Sequence, residues 1–375
     1  MKTTALLRFG ALVGLVLALF VVFGLPAGTV RAQLAPRDQT DPTVSYDAVR
    51  HQYLLVWSED RGAGHHLFAK RMFDNGLPIG GGSAGEWEIT GPTGPMDQKG
   101  DQRSPALEGG LLVWSEQVQG GTDYDVYAQR LFDNGRTYGA PMLIAGGPGN
   151  QRYPDVVVQD TGWLVVWSQD TSDAGDIWGV RLSQALHPLQ APFAVAQATG
   201  KAEDPTIGLD TANPAYFLVM WTDDRNGNQD IYGTRLLRTG FVSAGGPGTQ
   251  FPVVNTPDNE YAPDYVAFTT KLNDGSLRTN ESVNLLLWTA ETAAEGANVM
   301  GQRWRLNGAP FGPPTVIAGG TGAQAWPAAT QPRDGSNGEW LVVWAGDMNG
   351  NLDILGRELL LNGWSVRGVR DLSRD

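Results

Sequence analysis

The chain has 375 residues, 41% of them hydrophobic with 13 Trp, and no Cys; it can bury a large core and can form neither disulfides nor thiolate sites. A net charge of −13 argues against nucleic acid and anionic membranes as partners, because phosphate surfaces repel a chain this acidic. The 49 Gly and 23 Pro lie between apolar runs and so punctuate a fold, whereas a disordered chain would lack the runs.

The N-terminus is a different polymer. Lys2 and Arg8 accompany an apolar run from Ala11 to Leu25, Pro26 and Gly28 break it, and Val30 and Ala32 supply small residues for cleavage. This pattern predicts a secretory signal peptide over 1–32, with one mature domain over 33–375. An uncleaved anchor is the alternative, but the run is short for a spanning helix. The protein is expected to be secreted, periplasmic or on the cell surface, monomeric, and without a membrane span after cleavage. Losing Lys2, Arg8 and Arg31 takes the charge three units further below −13.

From there one unit recurs six times. Its marker is an apolar strand ending in Trp: Trp57, Trp114, Trp167, Trp221, Trp288 and Trp344, spaced by 53 to 67 residues. The longest gap holds an insertion, Lys271 to Ser282. Each unit opens on a Pro (42, 105, 154, 205, 263 and 327) that leads a short strand. The Trp strand follows, then a polar loop and a third strand such as "DVYAQR" or "DIYGTR". Asn-Gly at 75–76, 134–135, 307–308 and 362–363 reads as a type I′ hairpin turn into a weaker fourth strand.

Four antiparallel strands per unit, six times over, predict an all-β fold: a six-bladed β-propeller of four-stranded antiparallel blades. The blades fall at about 40–92, 101–147, 150–199, 201–257, 259–320 and 323–375. The small residue in each third strand, such as Gly179 or Gly233, is expected to let the neighbouring blade approach. The last blade has a candidate fourth strand of its own, Val366 to Leu372, so no strand is obviously shared between the chain ends.

The repeat resembles the PD40-type, TolB-like propeller unit. The likeness is best over Asp204 to Leu236, "DPTIGLD…FLVMWTDDRNGNQDIYGTRL", and extends weakly over 40–375. The Ser-Pro-Asp-Gly turn of that family is absent, as is the N-terminal α/β domain of TolB. The resemblance implies the fold and an extracytoplasmic, protein-binding tendency.

Strand order puts the loops between second and third strands on one face with the blade connections. That face gathers Glu59, Asp60, Glu116, Asp125, Asp176, Asp224 and Asp230, with Gln102, Gln151 and Gln324 before the prolines. These are the candidate binding residues, since loops converging on a rigid ring are a usual place for them. Asp224, Asn226, Asn228 and Asp230 present oxygens at alternate positions, and Asp347, Asn349, Asn351 and Asp353 repeat the pattern. A calcium site is one reading. The other is an Asn-Gly turn capped by its own side chains, and the glycines, fourth in each loop, favour it. No other cofactor is expected. The recurring Asp and Arg five residues apart in third strands, as in Asp230 and Arg235, point to opposite faces and are expected to bond to neighbouring blades. Ser58 to Gly62, "SEDRG", half-matches a sialidase Asp-box and is read as coincidence. His65 and His66 are adjacent in an extended chain, so their rings diverge and chelate poorly.

The leading expectation is a non-catalytic propeller binding a protein or glycan through its acidic loop face. One alternative is a propeller-type polysaccharide hydrolase or lyase, which two strongly shifted carboxylates in one cleft would favour. A structural envelope module without ligand is the other.

Overall fold

The computed structural model describes residues 37–47, 49–62, 64–80, 85–89, 100–117, 121–170, 175–197, 199–239, 249–267, 283–292, 295–305, 308–320, 322–330, 339–347, 350–360 and 368–373. The expected signal peptide, the insertion over 271–282, Asn307, Asn349, Asn362 and Gly363 lie outside them.

The described residues form six antiparallel sheets, each of four strands in chain order. The first strands are Gln39–Asp47, Gln102–Glu108, Asn150–Gln159, Ala202–Leu209, Asn259–Val266 and Gln324–Thr330. The second, Trp-bearing strands are Gln52–Asp60, Leu111–Gln117, Gly162–Asp170, Tyr216–Asp223, Val283–Thr292 and Glu339–Asp347. Third strands are His65–Phe73, Tyr124–Leu131, Gly175–Ser183, Asp230–Leu237, Gly296–Arg305 and Leu352–Leu360. Short fourth strands, Glu86–Glu88, Thr137–Ala145, Phe193–Gln197, Phe251–Val254, Thr315–Ala318 and Arg370–Asp371, complete the blades. Each first strand packs against the first strands on either side, and the first blade meets the sixth, so the ring is closed. The fold is a six-bladed β-propeller.

Burial explains why the second strands read as continuous apolar runs. Each of the six hydrophobic clusters joins two neighbouring blades. In the third blade Val165 and Trp167 face the blade before, while Leu164 and Val166 face the blade after. A strand packed on both sides has no polar face to alternate with. The six repeat tryptophans are at most 2% exposed.

Opposite each of these tryptophans the first strand carries a bulge. The pairing skips two residues of the first strand against one of the second: Asp41-Pro42, Ser104-Pro105, Tyr153-Pro154, Asp204-Pro205, Ala262-Pro263 and Trp326-Pro327. The residue before each Pro is left-handed, with φ between 48° and 52°. Such a conformation costs a non-Gly residue about 1–3 kcal/mol and survives only where the surroundings over-determine it. The Pro belongs there because the extra bulge residue is unpaired and Pro has no N–H to leave unmet.

The residue after the Trp ties this bulge to its neighbour. Ser58 Oγ donates to Gln102 O of the second blade at 2.7 Å. Ser115 Oγ accepts from Tyr153 N–H, Thr222 Oγ1 from Ala262 N–H and Thr289 Oγ1 from Trp326 N–H, each at 3.1 Å. The sixth blade has Ala345 in this place, and the ring closes differently. Lys70 Nζ donates to Leu372 O at 2.9 Å, Leu352 N–H donates to Asp38 Oδ1 at 3.1 Å, and Arg370 Nη1 donates to Asn75 O at 2.9 Å. Tyr53 and Trp57 pack with Val343 and Leu372 across the same seam.

Three local expectations are corrected. The Asp-Asn-Gly turns are three-residue loops, not type I′ turns: Phe73 N–H bonds to Leu77 O at 2.8 Å, and only Gly76 takes positive φ, +75°. The space beside the third-strand Gly is filled by the blade's own fourth strand; a Cβ on Gly233 would sit 3.1 Å from Val253. The third-strand Arg residues follow the expectation in part. Arg181 reaches Thr239 O of the next blade at 2.9 Å, but Arg235 pairs with Asp210 of its own blade at 2.7 Å.

Glu116 Oε2 accepts from both the Trp114 indole and the Gln102 amide, each at 2.9 Å. Glu116→Leu strands both donors and is expected to cost about 1–3 kcal/mol, while Glu116→Gln keeps an acceptor and costs much less. Thermal melting of the two variants checks this, and equal melting temperatures would contradict it.

Candidate active site

The inner edges of the six first strands have no further strand to pair with, so their N–H groups need other acceptors. Side chains supply them, each crossing to the next blade. Glu108 Oε1 accepts from Val158 N–H at 3.3 Å, Asp155 Oδ2 from Ile207 N–H at 2.8 Å and Asp264 Oδ2 from Ala329 N–H at 2.8 Å. Thr206 Oγ1 does the same for Tyr265 N–H at 3.2 Å.

These three carboxylates line one central cavity of about 730 Å³, walled by the first strands of all six blades. It lies toward the turns between first and second strands, where Phe217 and Arg238 also face it. Toward the blade-connection face the channel narrows to a space of about 120 Å³, ringed by the six bulges. Asp155 and Asp264 line both parts.

Each carboxylate keeps some surface in the cavity yet sits far from bulk water, so burial penalises its charged form. Burial pushes Asp155 up to about 6, against backbone and Thr206 hydrogen bonds that favour the anion. Glu108 rises to about 8, through burial and then the charge on Asp155. Asp264 rises to about 8 for the same two reasons. Asp155 therefore ionises first, and its charge holds protons on the other two. In the narrow part Asp204 reaches about 8, through burial and the charges of Glu203 and Asp41. The charge on Asp204 in turn drives the Tyr153 phenol well above its ordinary value.

The sequence-derived candidates lie elsewhere, on the blade-connection face, and the structure does not bring them into one cleft. Glu59, Gln102, Gln151, Asp230 and Gln324 are buried. Glu59, Glu116 and Gln324 accept the indole N–H of Trp57, Trp114 and Trp344. Asp125 is also buried, beside Gly146 of its own blade. Asp60 caps Gly62 N–H at 2.7 Å in the half Asp-box, and Asp176 follows Gly175 at the start of the third strand of its blade.

In the Asp224 loop, Gly227 N–H closes a turn on Asp224 O at 2.9 Å. The Asn226 and Asn228 amides donate to the two oxygens of Asp230, at 2.8 and 3.2 Å. The repeat at Asp347 has Gly350 N–H on Asp347 Oδ1 at 2.7 Å and Asn351 on Asp353 at 3.1 Å. Asp230 and Asp353 thus accept from their own loops while Asp224 Oδ1 accepts Lys201 N–H at 2.6 Å, and among the described residues no group of three His, Asp or Glu is placed to hold a metal. His65 and His66 take different carboxylates, Asp101 at 3.0 Å and Glu88 at 3.2 Å.

Glu108, Asp155 and Asp264 are absent from those candidates, although a signal was present. Aligning the six copies on the Pro puts Thr43, Ala106, Asp155, Thr206, Asp264 and Ala328 in one column. Two Asp among small residues at the innermost strand of a ring mark the channel as polar. Glu108, at the end of its strand, has no such column.

The raised carboxylates make stability fall with pH. Below the usual carboxylate range both folded and unfolded chains hold the protons. Above it the unfolded chain releases them and the folded chain does not, so folding loses stability steadily until pH passes about 6 for Asp155 and about 8 for Glu108 and Asp264. The melting temperature is expected to drop between about pH 5 and about pH 9. Glu108→Gln should flatten the drop and melt higher than the parent at the alkaline end, as pH-resolved calorimetry can test.

No family model matches the chain, and no curated protein matches it. Among solved structures it is similar to a mutant sialidase of Trypanosoma rangeli at 11% identity and TM-score 0.53, over 84% of this chain and 53% of that one, about half its length. It is also similar to the NanB sialidase of Streptococcus pneumoniae, at 8% identity and TM-score 0.49 over 84% and 67%. An endo-arabinase of Bacteroides thetaiotaomicron aligns at 14% and 0.47 over 74% and 95%. At these identities the likeness concerns the fold. The leading expectation of a non-catalytic binder is corrected at this point in favour of the hydrolase alternative, because one cavity holds the strongly shifted carboxylates that this alternative calls for.

Proposed function

We propose that the protein is a secreted, propeller-type polysaccharide hydrolase whose chemistry resides in the central cavity. The observation that carries this reading is the set of three interacting carboxylates, Glu108, Asp155 and Asp264, in one cavity with their proton affinities pushed apart. Pairs of acids so separated are what glycoside hydrolysis needs, one to give a proton and one to take it. The names of the similar propellers, sialidase and endo-arabinase, agree with it.

In this reading Glu108, protonated at neutral pH, is the general acid. It hands its proton to the glycosidic oxygen as the bond from the anomeric carbon to that oxygen breaks. Asp155, already ionised, takes a proton from the water whose oxygen bonds to the anomeric carbon. Asp264 stays protonated beside Asp155 and keeps a second negative charge out of the cavity. The cavity's low dielectric strengthens each of these terms. The apolar leader at the N-terminus is consistent with a substrate outside the cell.

Release of reducing ends from a panel of arabinans, sialylated glycans and other polysaccharides is the direct assay. The rate should follow a bell centred between the values of Asp155 and Glu108, about 6 and about 8. Glu108→Gln and Asp155→Asn should each lower it by about 100-fold or more with the fold retained. A parent protein inert on the whole panel, or a fully active Glu108→Gln variant, would refute the assignment.

A further inference from the structure

A second pocket, of about 160 Å³, lies between the second and third blades and is lined by Arg103, Ser104, Ser115, Tyr124, Arg152 and Tyr153. Two arginines from adjacent repeats line it together: each stands two residues before its blade's Pro and is followed by a bulge residue. Their situations differ. Arg103 is paired with Asp101 at 2.5 Å, and Asp101 is further held by His65 and by the Tyr124 hydroxyl. Arg152 has no ion pair among the described residues. Its guanidinium lies over the Tyr124 ring at 4.4 Å, and its Nε–H is buried with no hydrogen-bond partner.

An arginine that lines a pocket without a carboxylate partner, its guanidinium over an aromatic ring, keeps a positive charge and a planar fork of donors suited to a planar anion. The Ser115 hydroxyl, which accepts Tyr153 N–H, keeps its own proton to donate beside it. Ser104 and Tyr153 also line the narrow part of the channel, and Asp155 and Asp264 line that part and the main cavity. The pocket thus adjoins the space that leads to the carboxylates. Asp155, the acid along that path that ionises first, favours a singly charged guest over a dianion.

We propose that this pocket binds the carboxylate of an acidic sugar, with Arg152 as its anchor, so that the polysaccharide acted on is an anionic, uronic-type glycan. This rests on the hydrolase reading for its substrate but not for its binding. The experiment separates the two by using the Glu108→Gln protein, whose folding is checked by melting. Titration calorimetry with sodium glucuronate should give saturable binding at about millimolar strength, with glucose silent. Arg152→Gln should weaken it about tenfold or more, and Arg152→Lys, which keeps the charge but loses the fork, should fall between. Glucuronate binding unchanged in Arg152→Gln, or absent from the parent, would overturn the proposal, and so would sodium sulfate binding as tightly as glucuronate. Binding as expected in a parent that cleaves no polysaccharide would leave the pocket standing and remove the hydrolase.

Discussion

Four of the six blades are fastened to the next beside the bulge of its first strand, and the channel owes its shape to the bulges. A Trp on the second strand faces the bulge from within the blade. In most blades a Ser or Thr beside the Trp reaches across to the next bulge. The left-handed residue before each Pro is strained, and in the four blades that receive such a tie it is held between packing on one side and the tie on the other. Repeated around the ring, the same constraint turns six side chains inward at one level and narrows the channel there.

The cavity inherits its chemistry from a structural need. Innermost strands expose N–H groups that the sheets leave unmet, and acids or hydroxyls of the preceding blade accept them. Glu108, Asp155 and Asp264 do this in three blades, and Thr206 does it in a fourth. An acid so placed is oriented by the backbone, desolvated by the ring and close to its counterparts. Those are the conditions that shift proton affinities and pre-organise a site. Fastening and the proposed chemistry therefore fall to the same carboxylates, which is why their substitution is best read by activity and by the pH dependence of stability together.

The acidic loop face illustrates the reverse case. Its many carboxylates look like binding groups in the sequence, yet Glu59, Glu116 and Asp223 accept indole N–H groups two residues back. A Trp buried to its nitrogen needs an acceptor, and the strand's alternation places residue i+2 on the same side. In the Asp-Asn loops Asp230 and Asp353 accept from their own turns, and Asp224 accepts the Lys201 N–H.

The sequence by itself determined the blades. Six Trp strands, six Pro-led strands and the turns between them locate every sheet to within a few residues, because two-sided burial and bulge chemistry leave a local pattern that repeats. The same pattern made the closing blade legible as self-contained. What only the tertiary structure decided is which polar residues share a space. Glu108, Asp155 and Asp264 are far apart in sequence and meet across the ring's centre, while Arg103 and Arg152 meet across a blade interface. A radial fold brings equivalent positions of different repeats together, and the direction each side chain takes there depends on twist and bulge geometry, which leave no mark in the spacing of residues along the chain.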